Sequence, residues 1–183
     1  MPLRALLPIF LLAGAAGAAD VDILPTGEAL QRWQPIGKLA APPAPPGDAV
    51  DTCVNLGFLV DRNGATSSFA LLRGWSADTG RLDEYMRHSA AAVQSWRFQA
   101  ADSNGKRRPV YTHASFVFLA DAGGDAAAVR ARCDVGDLRS YVEQAYGRNY
   151  RRGNLGKGQL EHNRQQYPWQ IPDGCTRHAG WCD

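Results

Sequence analysis

The sequence has no apolar run of the roughly 20 residues that a membrane-spanning helix needs, which excludes a polytopic membrane protein. It carries little net charge. Twenty Lys and Arg against 18 Asp and Glu leave +2, too weak a field to argue for nucleic acid or an anionic membrane as partner. Histidine is scarce, and His88, His113, His162 and His178 are too dispersed for a His-Glu-x-x-His spacing. There is no Gly-x-Ser-x-Gly elbow, no phosphate-binding glycine loop and no Cys-x-x-Cys pair. No convergent acid–base set remains, so no catalytic residue, metal ligand or cofactor is assigned and the chain is read as a non-enzyme. Asp83-Glu84 sits in the first turn of an expected helix, where acids meet the helix dipole favourably. His88, one turn later, is read as a surface partner of Glu84.

What is present points to a folded, exported chain. At 183 residues, with 45% apolar and 21% charged, it is long enough for one domain with appendages. Its 19 Gly and 11 Pro announce loops and linkers. Met1 to Ala19 reads as a cleaved signal peptide: Arg4 supplies the positive end, Ala5–Ala13 the apolar stretch, and Ala16-Gly-Ala18 a small-residue cleavage site. No Cys stands at that site, so a lipoprotein is not expected. The periplasm is the expected compartment. Cys53, Cys133, Cys175 and Cys182 make an even count in an oxidising environment, which favours two disulfides with three possible connectivities. Cys175–Cys182 with Cys53–Cys133 is the preferred pairing over the two crossed ones.

Residues 20–49 read as a proline-rich tether around Ala40-Ala-Pro-Pro-Ala-Pro-Pro-Gly47, with one or two helical turns at most near Glu28–Trp33. Order begins at Val50. Val50, Thr52, Val54, Leu56, Phe58 and Val60 alternate with Asp51, Cys53, Asn55, Gly57 and Leu59, predicting a strand with one buried face. Asp61-Arg-Asn-Gly64 supplies the hairpin turn, and the return strand runs from Ala65 to about Arg73. Leu82, Tyr85, Met86, Ser89, Ala92, Val93 and Trp96 recur at helical spacing, predicting a helix over 80–95 with Asp78 or Thr79 as its cap. After a second turn at Asp102-Ser-Asn-Gly105, Val110, Thr112, Ala114, Phe116 and Phe118 share one face of a third strand. Strand, strand, helix, strand is most simply an α+β domain over 50–120: a small antiparallel three-stranded sheet packed on one helix. Residues 121–183 form an extension stapled by cysteines. A turn over Ala126–Arg132 and a helix from Asp134 to about Tyr146 are expected, followed by a polar, irregular tail with a basic stretch from Arg148 to Arg164.

The order of these pieces resembles the C-terminal domain of TonB, the periplasmic end of the energy transducer for outer-membrane receptors. The likeness rests on Val54–Val60, Asp61-Arg-Asn-Gly64, Phe69-Ala-Leu-Leu72, Leu82-Asp-Glu84, Trp96-Arg-Phe-Gln-Ala-Ala101, Asn104-Gly105 and Val110–Phe118, over about residues 50–119. Ala100 stands where the family has Pro, and the segment between Leu3 and Ala19 has neither the Ser nor the His that couples transducers to their motor complex. The resemblance implies that the last strand, through Val110, Tyr111, Thr112, His113, Ala114, Ser115 and Phe116, pairs with an extended segment of an outer-membrane or periplasmic protein by strand addition. Tyr111, His113 and Ser115 then point away from the helix-covered face. The edge is alternatively capped by the chain's own extension or by a second copy, as in a homodimer. A non-catalytic adapter is thus the leading expectation. A membrane-anchored transducer is the second, and a small enzyme or inhibitor acting through the extension is the third.

Overall fold

The computed structural model describes residues 21–146. The signal-peptide segment, the basic stretch, His162, His178, Cys175 and Cys182 lie outside the described residues. The domain is α+β with a mixed sheet and a few helices. Its elements are β1 (Asp22–Ile23), α1 (Thr26–Arg32), β2 (Trp33–Pro35), β3 (Thr52–Val60), β4 (Thr66–Ser76), α2 (Leu82–Gln94), β5 (Phe98–Ala100), β6 (Val110–Phe118), α3 (Ala126–Ala131) and α4 (Leu138–Tyr146). The main sheet runs β1-β6-β3-β4, while β2 and β5 form a separate antiparallel pair.

The β3–β4 hairpin forms where alternation and turn chemistry agree. The Asp61 carboxylate accepts from the backbone N–H of Asn63 at 2.7 Å and of Ala65 at 2.9 Å, closing an Asx turn. Gly64 takes φ of +79°, and a Cβ there would stand 1.8 Å from the Phe98 carbonyl. The pairing runs from Val60 against Thr66 to Thr52 against Ser76, with register shifts after Asn55 and after Gly57. The second strand is therefore longer than expected and takes in Trp75.

Helix α2 follows a single 3-10 turn whose Asp78 side chain accepts from Gly80 N–H at 3.0 Å. It buries Tyr85, Met86, Ala90 and Val93 against Val54, Leu56, Phe58 and Val60 of β3. Phe58 meets Trp96 edge-on with ring centres 5.8 Å apart, an arrangement adding about 0.5–1.5 kcal/mol to area burial.

Two expectations are corrected by this architecture. The sheet has four strands rather than three and is not purely antiparallel, because β1 joins β6 in parallel, Asp22 opposite Val110 and Ile23 opposite Tyr111. The segment read as a tether is therefore partly built into the domain. Ala29 and Trp33 lie in the main core, and the Trp33 indole donates to the Arg108 carbonyl at 3.0 Å. Proline and charge between 20 and 49 concealed this, since a two-residue strand has no periodicity to read.

The second correction concerns β3, whose two faces are both buried. On the face opposite α2, Ile23, Leu72 and Tyr111 pack with Leu138 and Val142 of α4. Cys53 is bonded to Cys133 in a small cluster with Val129 of α3. Asn55 Nδ2 donates to the Cys133 carbonyl at 3.1 Å, and the Tyr141 hydroxyl donates to the Leu72 carbonyl. The start of the extension is thus the second layer of the domain. Among the described residues no helix is long and apolar enough to cross a membrane.

Candidate functional site

The backbone of β6 decides what its outer side can offer. Against β3 it pairs without interruption from Val110 opposite Val60 to Phe118 opposite Thr52. On the other side, the carbonyls of Pro109 and Tyr111 accept from Asp22 and Leu24 N–H at 3.2 and 3.0 Å. The His113 carbonyl accepts from the Thr26 hydroxyl at 2.6 Å. Odd-numbered residues therefore turn their N–H and C=O groups outward, and even-numbered ones turn theirs toward β3. Antiparallel pairing alternates in just this way. With an unbroken register, Ser115 and Val117 follow the same rule. No other described residue bonds to their outward groups.

The seven residues singled out from the sequence consequently divide. Val110 and Tyr111 are covered by β1, and the outer side of His113 is taken by Thr26. Thr112 is buried with its ladder groups toward β3, and its hydroxyl has no hydrogen-bond partner among the described residues. Ala114 and Phe116 are half-buried on the α2 face, and Ser115 is exposed. Tyr111 and His113 do lie on the face away from α2, as alternation requires. The open stretch is the second half of the strand, shifted about three residues from the expected one and including Val117 and Phe118. Sequence alternation fixes which face a side chain takes, but not which strand sits alongside.

His113 links this strand to the extension. Its Nδ1 lies 2.8 Å from Asn55 Oδ1, and Asn55 in turn holds the Cys133 carbonyl. Burial pushes the imidazole pKa below its ordinary value, and the nearby Asp134 carboxylate opposes that push only in part. A neutral imidazole here completes a polar chain between β6, β3 and the loop after α3. Elsewhere, Glu84 pairs with Arg81 at 3.2 Å and Asp83 is exposed on α2. Among the described residues no three His, Cys, Asp or Glu side chains gather where they could hold a metal ion.

Rings surround the open half of β6. Phe116 meets Trp96 with centres 6.0 Å apart, and Phe118 meets Tyr85 at 4.7 Å. Phe116 and Phe118 are half-buried and give the surface beside the edge its apolar character, while Trp96 and Tyr85 behind them are buried. The indole and phenol were read from the sequence only as core positions of α2. Comparison of the chain with protein-family models, curated proteins and solved structures finds no match.

Proposed function

We propose that this protein is a non-catalytic periplasmic adapter that takes up an extended segment of an envelope protein by strand addition along β6. The observation that carries the reading is the pair of outward-facing backbone positions at Ser115 and Val117, which pair with no other strand among the described residues. A partner strand there would find two donors and two acceptors spaced for a β-ladder. The half-buried Phe116 and Phe118 beside the edge would supply side-chain selectivity. The hairpin, helix, strand order of β3, β4, α2 and β6 supports the likeness to TonB C-terminal domains. The signal-like N-terminus supports the compartment.

The test is peptide binding with an edge-blocked variant. Pro at Thr112 would destroy the native β3–β6 ladder, so it cannot separate binding from folding. Pro at Ser115 removes an outward N–H and leaves the inner ladder intact. An array of ten-residue peptides tiled over the periplasm-facing segments of outer-membrane proteins is the probe. S115P is expected to abolish retention that S115A keeps. Retention by S115P as strong as by the unaltered chain would refute strand addition at this edge.

A further inference from the structure

Residues 39–45 belong to no helix or ladder, yet the proline-rich segment is pinned at both ends of α2. Beyond the helix C-terminus, Trp96 Nε1 donates to the Ala40 carbonyl at 2.9 Å. At its N-terminus, Arg81 donates Nη2 to the Pro46 carbonyl at 2.7 Å and Nη1 to the Asp48 carbonyl. The same guanidinium lies 5.4 Å from the centre of the Tyr85 ring, and the Tyr85 hydroxyl accepts from Val50 N–H at 3.3 Å. Between the anchors Pro45 is buried. Leu39 packs against the cluster that holds Tyr85, Trp96, Phe116 and Phe118.

The lengths agree with an extended strap. Arg81 to Trp96 covers about 22 Å at helical rise, and Ala40 to Pro46 covers about 19 Å as a polyproline helix. Four prolines in that span have no N–H to give, so the strap bonds through its carbonyls to an indole and a guanidinium. Such a set, aromatic rings with a ring N–H aimed at a proline-segment carbonyl, is how polyproline helices are recognised. Gly37, just before the strap, and Gly47, between its last two anchors, take φ of +78° and +97°, backbone that few other residues adopt.

We propose that the surface formed by Arg81, Tyr85, Trp96, Phe116 and Phe118 is a binding groove for proline-rich polypeptide. Residues 39–48 occupy it in cis, and a proline-rich segment of another protein is its partner when the strap swings out. The groove lies on the α2 face; it shares Phe116 and Phe118 with the β6 edge but uses none of the outward backbone groups of that edge, so its failure and the failure of strand addition are distinguishable. Self-occupancy weakens apparent affinity by the fraction of chains with the strap open.

The experiment titrates a fluorescein-labelled synthetic copy of residues 38–48 into the full-length chain and into a P42S/P43S/P45S/P46S variant, following anisotropy. The opened variant is expected to bind about tenfold or more tightly than the unaltered chain. W96F in the opened background should weaken it about fivefold, the worth of one hydrogen bond, while S115P should leave it unchanged. Equal binding by the opened and unaltered chains would overturn the proposal, as would equal binding of a copy with its prolines replaced by Ser. Loss of binding on S115P would assign the peptide to the β6 edge and overturn it too. Should near-UV circular dichroism show the fourfold variant unfolded, the milder P45S/P46S pair gives the same comparison.

Discussion

Replacing Cys53 and Cys133 together by Ala tests the idea that the extension is a structural layer and not an appendage. The two residues are 80 apart in sequence. Cross-linking a loop of that size removes about 15 cal/mol/K of denatured-chain entropy, or about 4.5 kcal/mol at 25 °C. Total stabilities of domains run to about 5–15 kcal/mol, so the loss is about 30% of the whole or more. With a urea slope of about 1.5 kcal/mol/M for a domain of this size, the midpoint should fall by about 3 M. Alanine is the right replacement because Ser would bury two hydroxyls in the apolar cluster of Val129, Trp75 and Val117. Hydrogen exchange supplies the local readout. Amides of α4 should lose protection first, since Leu138 and Val142 would then hold the layer without its covalent clasp. A midpoint shift under about 0.5 M would refute the reasoning, because it would mean that the denatured chain already keeps the two ends together.

Two further perturbations probe the packing around β6. At Gly57 a methyl group would stand 2.2 Å from the Tyr111 hydroxyl and 3.0 Å from Leu72 Cδ2. G57A should therefore destabilise by about 1–3 kcal/mol through overpacking, read as a lower urea midpoint, and an unchanged midpoint would refute the close approach of Tyr111. His113 sets a pH dependence whose sign follows from burial. Its pKa is lowered in the fold, so its contribution to stability is full above the unfolded value of about 6.5 and is lost as pH falls through the lower native value. The urea midpoint of the unaltered chain should drop between about pH 7.5 and about pH 5.5 by more than that of H113Q. Equal drops would show that His113 is not the group responsible.

How much of this was legible in the sequence varies with the physics of each element. The hairpin, α2 and β6 carry long periodic patterns and local turn or cap chemistry, and they stand within a few residues of expectation. Asp125 accepts from Ala127 and Ala128 N–H at the start of α3. At the start of α4 it is Asp137 that accepts from Ser140 N–H, and not Asp134, the expected start of that helix, whose carboxylate instead accepts from Gly136 N–H at 2.9 Å. What could not be read was tertiary adjacency. Asp22-Ile23 is too short for any pattern, yet its position beside Val110 closes the part of β6 that the sequence offered as free. Proline runs reveal that a segment forms no ladder, but not whether water or an indole faces it. Cys53, Asn55 and Leu59 look like solvent-facing alternates only if the chain beyond residue 120 is taken to be peripheral.

The meeting of Ile23 with α4 has a temporal side. Arg139 reaches the Ile23 carbonyl across 116 residues of chain, and Leu138 and Val142 close the same cluster. At synthesis speeds of about 5–20 residues per second, the first strand emerges about 6–23 seconds before the helix that covers it. The hairpin and α2 can assemble during that interval, but the second layer cannot. A nascent chain of this protein therefore carries an uncovered sheet face from the completion of β4 at Ser76 until α4 begins at Leu138, about 3–12 seconds at that rate, and any factor that must meet the chain before it closes has those seconds in which to do so.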